Sequence, residues 1–155
     1  MTGPASGTSE ALLDTNVLVY AYDRSEPAKQ ERALSVLNSL VSAGRGVVST
    51  QVLGEFFATL TLKLKPRLDS EDAIERLERH AHLWKVIPLT PAVVLAAARA
   101  SLGFRLNHWD AQLWAAARLN GISLILSEDF SHGTSLGGVR FVNPFLPGFR
   151  VADWL

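Results

Sequence analysis

The chain has 155 residues, of which 48% are hydrophobic and 19% charged, so the composition suits one globular domain and excludes a disordered chain. Fifteen basic residues balance fifteen acidic ones, so net charge alone cannot decide for or against a nucleic-acid partner. The absence of cysteine excludes disulfides and cysteine-based metal sites or nucleophiles, and it fits a reducing cytoplasmic compartment.

The first ten residues contain neither a basic segment nor an apolar one, so residues 1–10 are expected to be a flexible tail and not a signal peptide. The longest uncharged run in the middle of the chain, residues 86–98, is too short to span a bilayer and contains two prolines. We therefore expect residues 11–155 to form a single domain that does not enter a membrane.

Hydrophobic periodicity and cap residues predict strands that alternate with helices along the chain. The predicted strands are short and apolar, and the last is expected at an edge: they cover 12–13, 47–48, 84–89, 122–127 and 139–144. The predicted helices begin near Thr15, Pro27, Ser49 or Thr50, Asp69, Pro91 and Asn107. The helix that begins near Asp69 is expected to direct Ile74, Leu77 and Ala81 inward.

This alternation predicts an α/β fold with a central, mostly parallel sheet of about five short strands flanked by helices. In such sheets, ligands bind beyond the carboxyl ends of the strands. Asp14 directly follows the first strand, Asp129 follows the strand at 122–127, and Glu55 lies about two turns into the helix after the strand at 47–48. All three carboxylates are expected at one end of the sheet.

Each acidic candidate also has an ordinary structural explanation. Asp14 can cap the helix that follows it, and Glu55 can occupy a solvated helix edge. Asp110 can favour the dipole at the start of its helix, although it shares a face with apolar residues. Asp129 can form an Asx-turn, and its neighbour Glu128 is a competing candidate that periodicity does not exclude.

Together, the four acids form a candidate metal site. Carboxylates that lie close together repel each other, and their pKa values rise unless a cation intervenes. Mg²⁺ and Mn²⁺ prefer oxygen ligands, and Mg²⁺ keeps several waters. An acidic cluster that holds hydrated Mg²⁺ is suited to phosphodiester hydrolysis. Asn16, two residues after Asp14, could add an amide oxygen or hold a carboxylate in place.

Segments in a fixed order resemble the PIN-domain ribonucleases, and most closely the VapC-type toxins of bacterial type II toxin–antitoxin pairs. They are LLDTNVLVYAYD, STQVLGEFF, LNHWDAQLWAAA, and LILSEDFSHG followed by VRFVNPF. The resemblance extends from Leu12 to Phe145. By this resemblance, the four acidic positions of the metal site are Asp14, Glu55, Asp110 and Asp129, with Asn16 and Ser127 beside them.

The resemblance implies a Mg²⁺- or Mn²⁺-dependent endoribonuclease in which a metal-activated water attacks an RNA phosphodiester in line. Asp14, Glu55 and Asp110 would hold or position the metal, and Asp129 would complete the site. The implied partners are an RNA such as tRNA or rRNA, a cognate antitoxin that covers the cleft with an arginine against the carboxylates, and a second copy of the chain in a homodimer.

Other interpretations stay open on sequence alone. A PIN-like binding module without nuclease activity, or a PIN nuclease that processes RNA outside a toxin–antitoxin pair, would have a similar sequence.

Trp109 is either a core or rim residue or a surface on which an RNA base stacks. The basic run at 62–67 is either a solvated helix end or a phosphate contact. The histidines show no metal-ligand spacing, so surface or packing roles are expected.

Overall fold

The computed structural model describes residues 9–155, so the first eight residues of the predicted tail lie outside the described residues. Within this range, strands and helices alternate as predicted. In chain order the elements are β1 Ala11–Leu13, α1 Thr15–Tyr20, α2 Pro27–Ala43, β2 Gly46–Ser49, α3 Thr50–Leu62, α4 Ser70–Leu83, β3 Lys85–Ile87, α5 Pro91–Phe104, α6 His108–Leu119, β4 Leu124–Leu126, β5 Ser135–Leu136 and β6 Val139–Val142. A 3₁₀ turn, Val151–Asp153, follows β6.

The strands form a mostly parallel sheet in the order β3-β2-β1-β4-β6-β5, and the predicted α/β class is confirmed. Six described strands pair where about five were predicted, because the two-residue β5 adds an antiparallel partner for β6. The prediction that β6 lies at an edge was therefore wrong, since β5 takes that place. Leu13 lies opposite Leu126, so β1 and β4 end at the same edge of the sheet.

The centre of the sheet is covered on both faces. Every residue of β1, β2 and β4 is buried, which explains why these strands read as continuous apolar runs without alternation. Phe56 and Leu60 of α3 and Leu40 of α2 are fully buried among the helices, and each such side chain contributes about 1.5–3 kcal/mol through removal from water. This rigid frame fixes where the strand ends lie.

The helix caps follow the predicted polar residues. Backbone N–H groups in the first turn of α3, α4, α5 and α6 donate to the side chains of Ser49, Asp69, Thr90 and Asn107, respectively. Each bond satisfies a donor that has no partner inside the helix. Within residues 9–155, no helix combines the length and the apolar character needed to cross a lipid bilayer.

Helix α4 buries only part of the predicted face, because Leu77 packs against the core as predicted but Ile74 and Ala81 do not. Ala73 and His80 are buried, whereas Ile74 is 45% exposed and Ala81 is exposed. His80 packs inward because both of its ring nitrogens are hydrogen-bonded: Trp84 Nε1 donates to Nδ1 at 2.9 Å, and Nε2 lies 2.8 Å from the Tyr22 hydroxyl. Hydropathy places histidine outside, but a satisfied ring is tolerated in a core.

Candidate functional site

The structure brings all four predicted acids to one cleft. Asp14 follows β1, Glu55 projects from α3, Asp110 lies in the first turn of α6, and Asp129 follows β4. These four side chains line a cleft of about 630 Å³ beside the ends of β1 and β4. Side chains that lie between 19 and 115 positions apart in sequence therefore meet, because parallel strands end at a common edge.

Asp14 is the most buried of the four, with 8% of its surface exposed. The Ser127 hydroxyl donates to Oδ2 at 2.6 Å, and the Thr15 N–H donates to Oδ1 at 2.7 Å. Burial raises the pKa of Asp14 to about 6, the Asp129 and Glu55 charges add to this rise, and the two hydrogen bonds oppose it only in part. Asp14 thus caps α1, as one explanation held, and also faces the cleft.

Glu55 is half-buried and is held from two helices. The Thr15 hydroxyl of α1 donates to Glu55 Oε2 at 2.8 Å, and Gln51 Nε2 of α3 donates to Oε1 at 3.0 Å. Both carboxylate oxygens therefore have partners, and the side chain is directed along the cleft wall instead of into bulk water.

Asp110 also combines a helix-terminal role with a place in the cleft. Asn107 Nδ2 donates to Asp110 Oδ2 at 2.7 Å, while the Asp110 N–H donates to Asn107 Oδ1 at 2.9 Å. This reciprocal pair resembles a capping box. Burial raises the pKa of Asp110, and the nearby Asp129 and Glu55 charges raise it further, against the lowering effect of the Asn107 hydrogen bond.

The two adjacent acids after β4 point to different neighbours. Asp129 lines the cleft, where Asn16 Nδ2 donates to its Oδ2 at 3.1 Å. Glu128 instead accepts from Lys29 Nζ at 2.9 Å and from the Tyr20 hydroxyl at 2.6 Å. Glu128 is absent from the cleft lining, so this placement favours Asp129 over Glu128 as the fourth acid.

A group of amides that was not predicted from the sequence joins α3 to α6. Gln51 Nε2 donates to Glu55 and also to the Trp109 carbonyl at 3.3 Å, and Gln51 Oε1 accepts from Gln112 Nε2 at 3.1 Å. Gln112 is 3% exposed, so its amide depends on this partner. The spacing of Gln51 four residues before Glu55 was the one available signal. The contacts of three other residues with the acids were not predicted either: Thr15 donates to Glu55, and Tyr20 and Lys29 donate to Glu128.

The donor set fits a hydrated, oxygen-preferring cation. Of the described residues, five acids and one lysine line the cleft, so the charge of this lining is negative. Within residues 9–155, no three acidic or histidine side chains lie close enough to hold one ion directly. Mg²⁺ commonly uses only one or two carboxylates and keeps several waters, so the other acids would act through water. The four predicted carboxylates accept hydrogen bonds from neutral hydroxyl, amide or backbone groups, so their negative charges are available to a cation.

Comparison with known proteins gives a family and a fold. Residues 11–132 match the family described as "PIN domain". A search of curated protein sequences gave no significant match.

Three solved structures share the fold. One is a toxin–antitoxin complex from Klebsiella pneumoniae (TM-score 0.65, 16% identity, covering 87% of this chain and 98% of that chain). Another is DNA-bound VapBC from Salmonella typhimurium (TM-score 0.63, 17% identity, covering 88% of this chain and 98% of that chain). A third is VapC20 from Mycobacterium tuberculosis, described as a sarcin-ricin loop cleaving toxin (TM-score 0.61, 19% identity, covering 84% of this chain and 99% of that chain).

Proposed function

The chain belongs to the PIN domain family, and on that premise we propose that it is a metal-dependent endoribonuclease that hydrolyses RNA phosphodiester bonds. The observation that carries this proposal is the placement of four carboxylates from four separate elements in one cleft. Their burial and mutual repulsion raise the pKa of Asp14 to about 6 and also raise that of Asp110. Such arrangements work against folding, and they concentrate at functional sites.

Mg²⁺ or Mn²⁺ would be bound directly by one or two of Asp14, Glu55 and Asp110 and through water by the rest, with Asp129 completing the site. When bound, the cation supplies Lewis-acid stabilisation of the phosphate and activation of water. The neutral groups around the acids set their orientation. Ser127 and the Thr15 N–H fix Asp14, and Asn107 fixes Asp110.

The proposal is tested by incubating the purified protein with total RNA and Mg²⁺ or Mn²⁺. We expect discrete fragments from the wild type, no fragments with EDTA, and no fragments from Asp14→Asn. Asp153→Asn is a matched control, because Asp153 is an exposed acid that pairs with Arg150 and does not line the cleft. A folded wild type that cleaves no RNA would favour the alternative of a binding module without nuclease activity.

We propose further that the nuclease is the toxin of a toxin–antitoxin pair. The support is the fold shared with structures described as toxins or toxin–antitoxin complexes, together with the acidic cleft, which suits an arginine from a cognate antitoxin. Induction in a bacterial host should arrest growth with the wild type and not with Asp14→Asn. RNA cleavage in vitro without growth arrest would favour an RNA-processing nuclease instead.

A homodimer is the proposed assembly. Helix α5 exposes several large apolar side chains, a pattern typical of a face that another protein covers: Leu95 is 58% exposed, Leu102 87% and Phe104 44%. Sedimentation equilibrium should give a dimer for the wild type and a monomer for Leu95→Glu/Leu102→Glu. A wild type that sediments as a monomer would contradict this assembly.

A further inference from the structure

An apolar wall stands beside the acidic cleft. Trp109 is 63% exposed and Leu62 is 65% exposed, and both line the cleft together with Ala58. The other three tryptophans, in contrast, are buried or partly buried: Trp84, Trp114 and Trp154. A tryptophan ring held in water at the rim of a polar cleft contributes little to the core, which indicates that it serves a ligand.

The backbone that carries the ring lies directly beside one of the acids. Trp109 directly precedes Asp110 in the first turn of α6, which Asn107 caps. Its carbonyl accepts from Gln51 Nε2 at 3.3 Å, and its ring contacts the His108 ring at a centroid distance of 5.6 Å. The backbone of Trp109 is thus tied to both α6 and α3, which keeps this residue at the lining of the cleft that holds the carboxylates.

The charge of the cleft limits how RNA can bind there. Among residues 9–155, the lining contains Asp14, Asp23, Glu55, Asp110 and Asp129 but only one cation, Lys63. Attraction of phosphates, which dominates most nucleic-acid affinity, is therefore weak in this cleft. Stacking of bases on aromatic rings does not depend on phosphate charge and is available to any unpaired base.

We propose that Trp109 is the surface on which an unpaired RNA base stacks, next to the phosphate that is cleaved. Trp109 would then favour an unpaired base over one that is already stacked within a duplex. This inference rests on the proposed nuclease function and adds a specificity-determining residue to it.

Cleavage kinetics on a short mixed-sequence single-stranded RNA test the inference. Trp109→Ala should lower kcat/KM by roughly 5- to 100-fold, mainly through KM, since loss of one stacked base costs about that much affinity. Trp109→Phe keeps a ring and should recover most of this loss. Leu34→Ala, at an exposed apolar position of α2 outside the cleft, is the control and should match the wild type.

A binding measurement keeps the inference separate from the nuclease activity. Fluorescence anisotropy in an Asp14→Asn background reports affinity for the same RNA without cleavage. We expect tighter binding of the single strand than of its duplex, and Trp109→Ala should remove most of that difference. Equal binding by Trp109→Ala and the parent would overturn the inference, even if the wild type cleaves RNA. An inactive wild type whose single-strand preference still depends on Trp109 would overturn only the nuclease proposal.

A protein partner is the competing occupant of the same wall. If Trp109 serves only a partner chain, Trp109→Ala leaves both RNA cleavage and RNA binding unchanged, and the inference is overturned. Circular dichroism and thermal unfolding of each variant ensure that a loss of affinity is not a loss of fold.

Discussion

At Asp14, a carboxylate that would bind a cation in the cleft is buried at a cost to the stability of the fold. Its carboxylate is 8% exposed and lies near the Asp129 and Glu55 charges. Two hydrogen bonds favour the ionised form, but burial outweighs them and raises the pKa of Asp14 from 3.8 to about 6. Ionised Asp14 therefore costs stability at neutral pH, and a cation at the cleft would offset that cost.

The sign of this effect gives a prediction for stability. Because the folded protein binds the Asp14 proton more tightly than the unfolded chain does, Asp14 lowers stability progressively between about pH 4 and pH 6. In EDTA near pH 7.5, Asp14→Asn should be more stable than the wild type by about 1–3 kcal/mol. Near pH 4 the two should be equal, and urea unfolding at both pH values measures the difference.

Asparagine is also a good helix N-cap, so the substitution retains the start of α1. An Asp14→Asn variant that is less stable near pH 7.5, or that keeps the full pH dependence of the wild type, would contradict the assignment of this cost to Asp14.

The adjacent acids Glu128 and Asp129 give a second prediction at this scale. Asp129 lines the cleft, whereas Glu128 pairs with Lys29 at a partly exposed site, where such pairs are weak. Asp129→Asn should lower RNA cleavage by about 10- to 100-fold, as loss of a group that acts on a metal through water does. Glu128→Gln should lower it less than Asp129→Asn does. The reverse order in kcat/KM would assign the fourth acid to Glu128.

At the scale of elements, amide hydrogen bonds join α3, which carries Glu55, to α6, which carries Asp110. Gln51 contacts Glu55, Trp109 and Gln112, and Gln112 is buried. Gln51→Leu should leave the Gln112 amide without its partner and lower the free energy of unfolding by about 1–3 kcal/mol. It should also lower kcat/KM, because Glu55 loses one of its two hydrogen-bond partners.

A double-mutant cycle separates these two effects. Gln51→Leu/Gln112→Leu should recover part of the lost stability, since no buried amide is left unpaired, but should not recover activity. Gln30→Ala removes an amide that donates to the Ala21 carbonyl outside the cleft, and it serves as the control. Additive stability losses in the cycle would show that Gln51 and Gln112 act independently.

Elements differ in how well the sequence predicts them. Strand runs and cap residues are local signals, so β1, β2 and the starts of α3 to α6 were predicted near their observed positions. The predicted buried face of α4 was right for Leu77 but wrong for Ile74, which is exposed. His80 is buried instead, because Tyr22 and Trp84 supply its hydrogen-bond partners. The hydrophobic periodicity of α4 does not show that side chains from elsewhere in the fold will satisfy the His80 ring.

In the candidate site, too, local sequence signals predict some residues, whereas others become recognisable only through contacts that the fold creates. Asp14 and Asp129 were predictable because they end buried strands at one edge. Gln51, Lys29 and Tyr20 were not, since amide, ammonium and hydroxyl groups on exposed-looking positions carry no pattern before the fold sets their partners.

At the scale of the molecule, two buried groups give pH dependences of opposite sign. Burial lowers the pKa of His80 from 6.5 to about 4, so the unfolded chain takes up this proton first. His80 therefore contributes stability that is fully present above pH 6.5 and is lost as the pH falls toward 4. Asp14 contributes in the opposite direction over nearly the same interval, so the metal-free protein should show a shallow pH profile.

Adding metal should change that profile. Mg²⁺ at about 100 times its dissociation constant should raise the free energy of unfolding by about 2.7 kcal/mol near pH 7.5. Near pH 5 the gain should be smaller, because protons compete with the cation for Asp14. Thermal unfolding with Mg²⁺ and with EDTA at both pH values measures this, and an equal gain at the two pH values would contradict it.

The central claim is that the carboxylates of this cleft jointly hold one kind of divalent cation, and calorimetric titration with Mn²⁺ tests it most directly. We expect saturable binding by the wild type and by Asp153→Asn, and a loss of affinity of about tenfold or more in Asp14→Asn and in Asp110→Asn. Mn²⁺ binding of equal strength in all four proteins would contradict the claim, because the cation would then lie elsewhere.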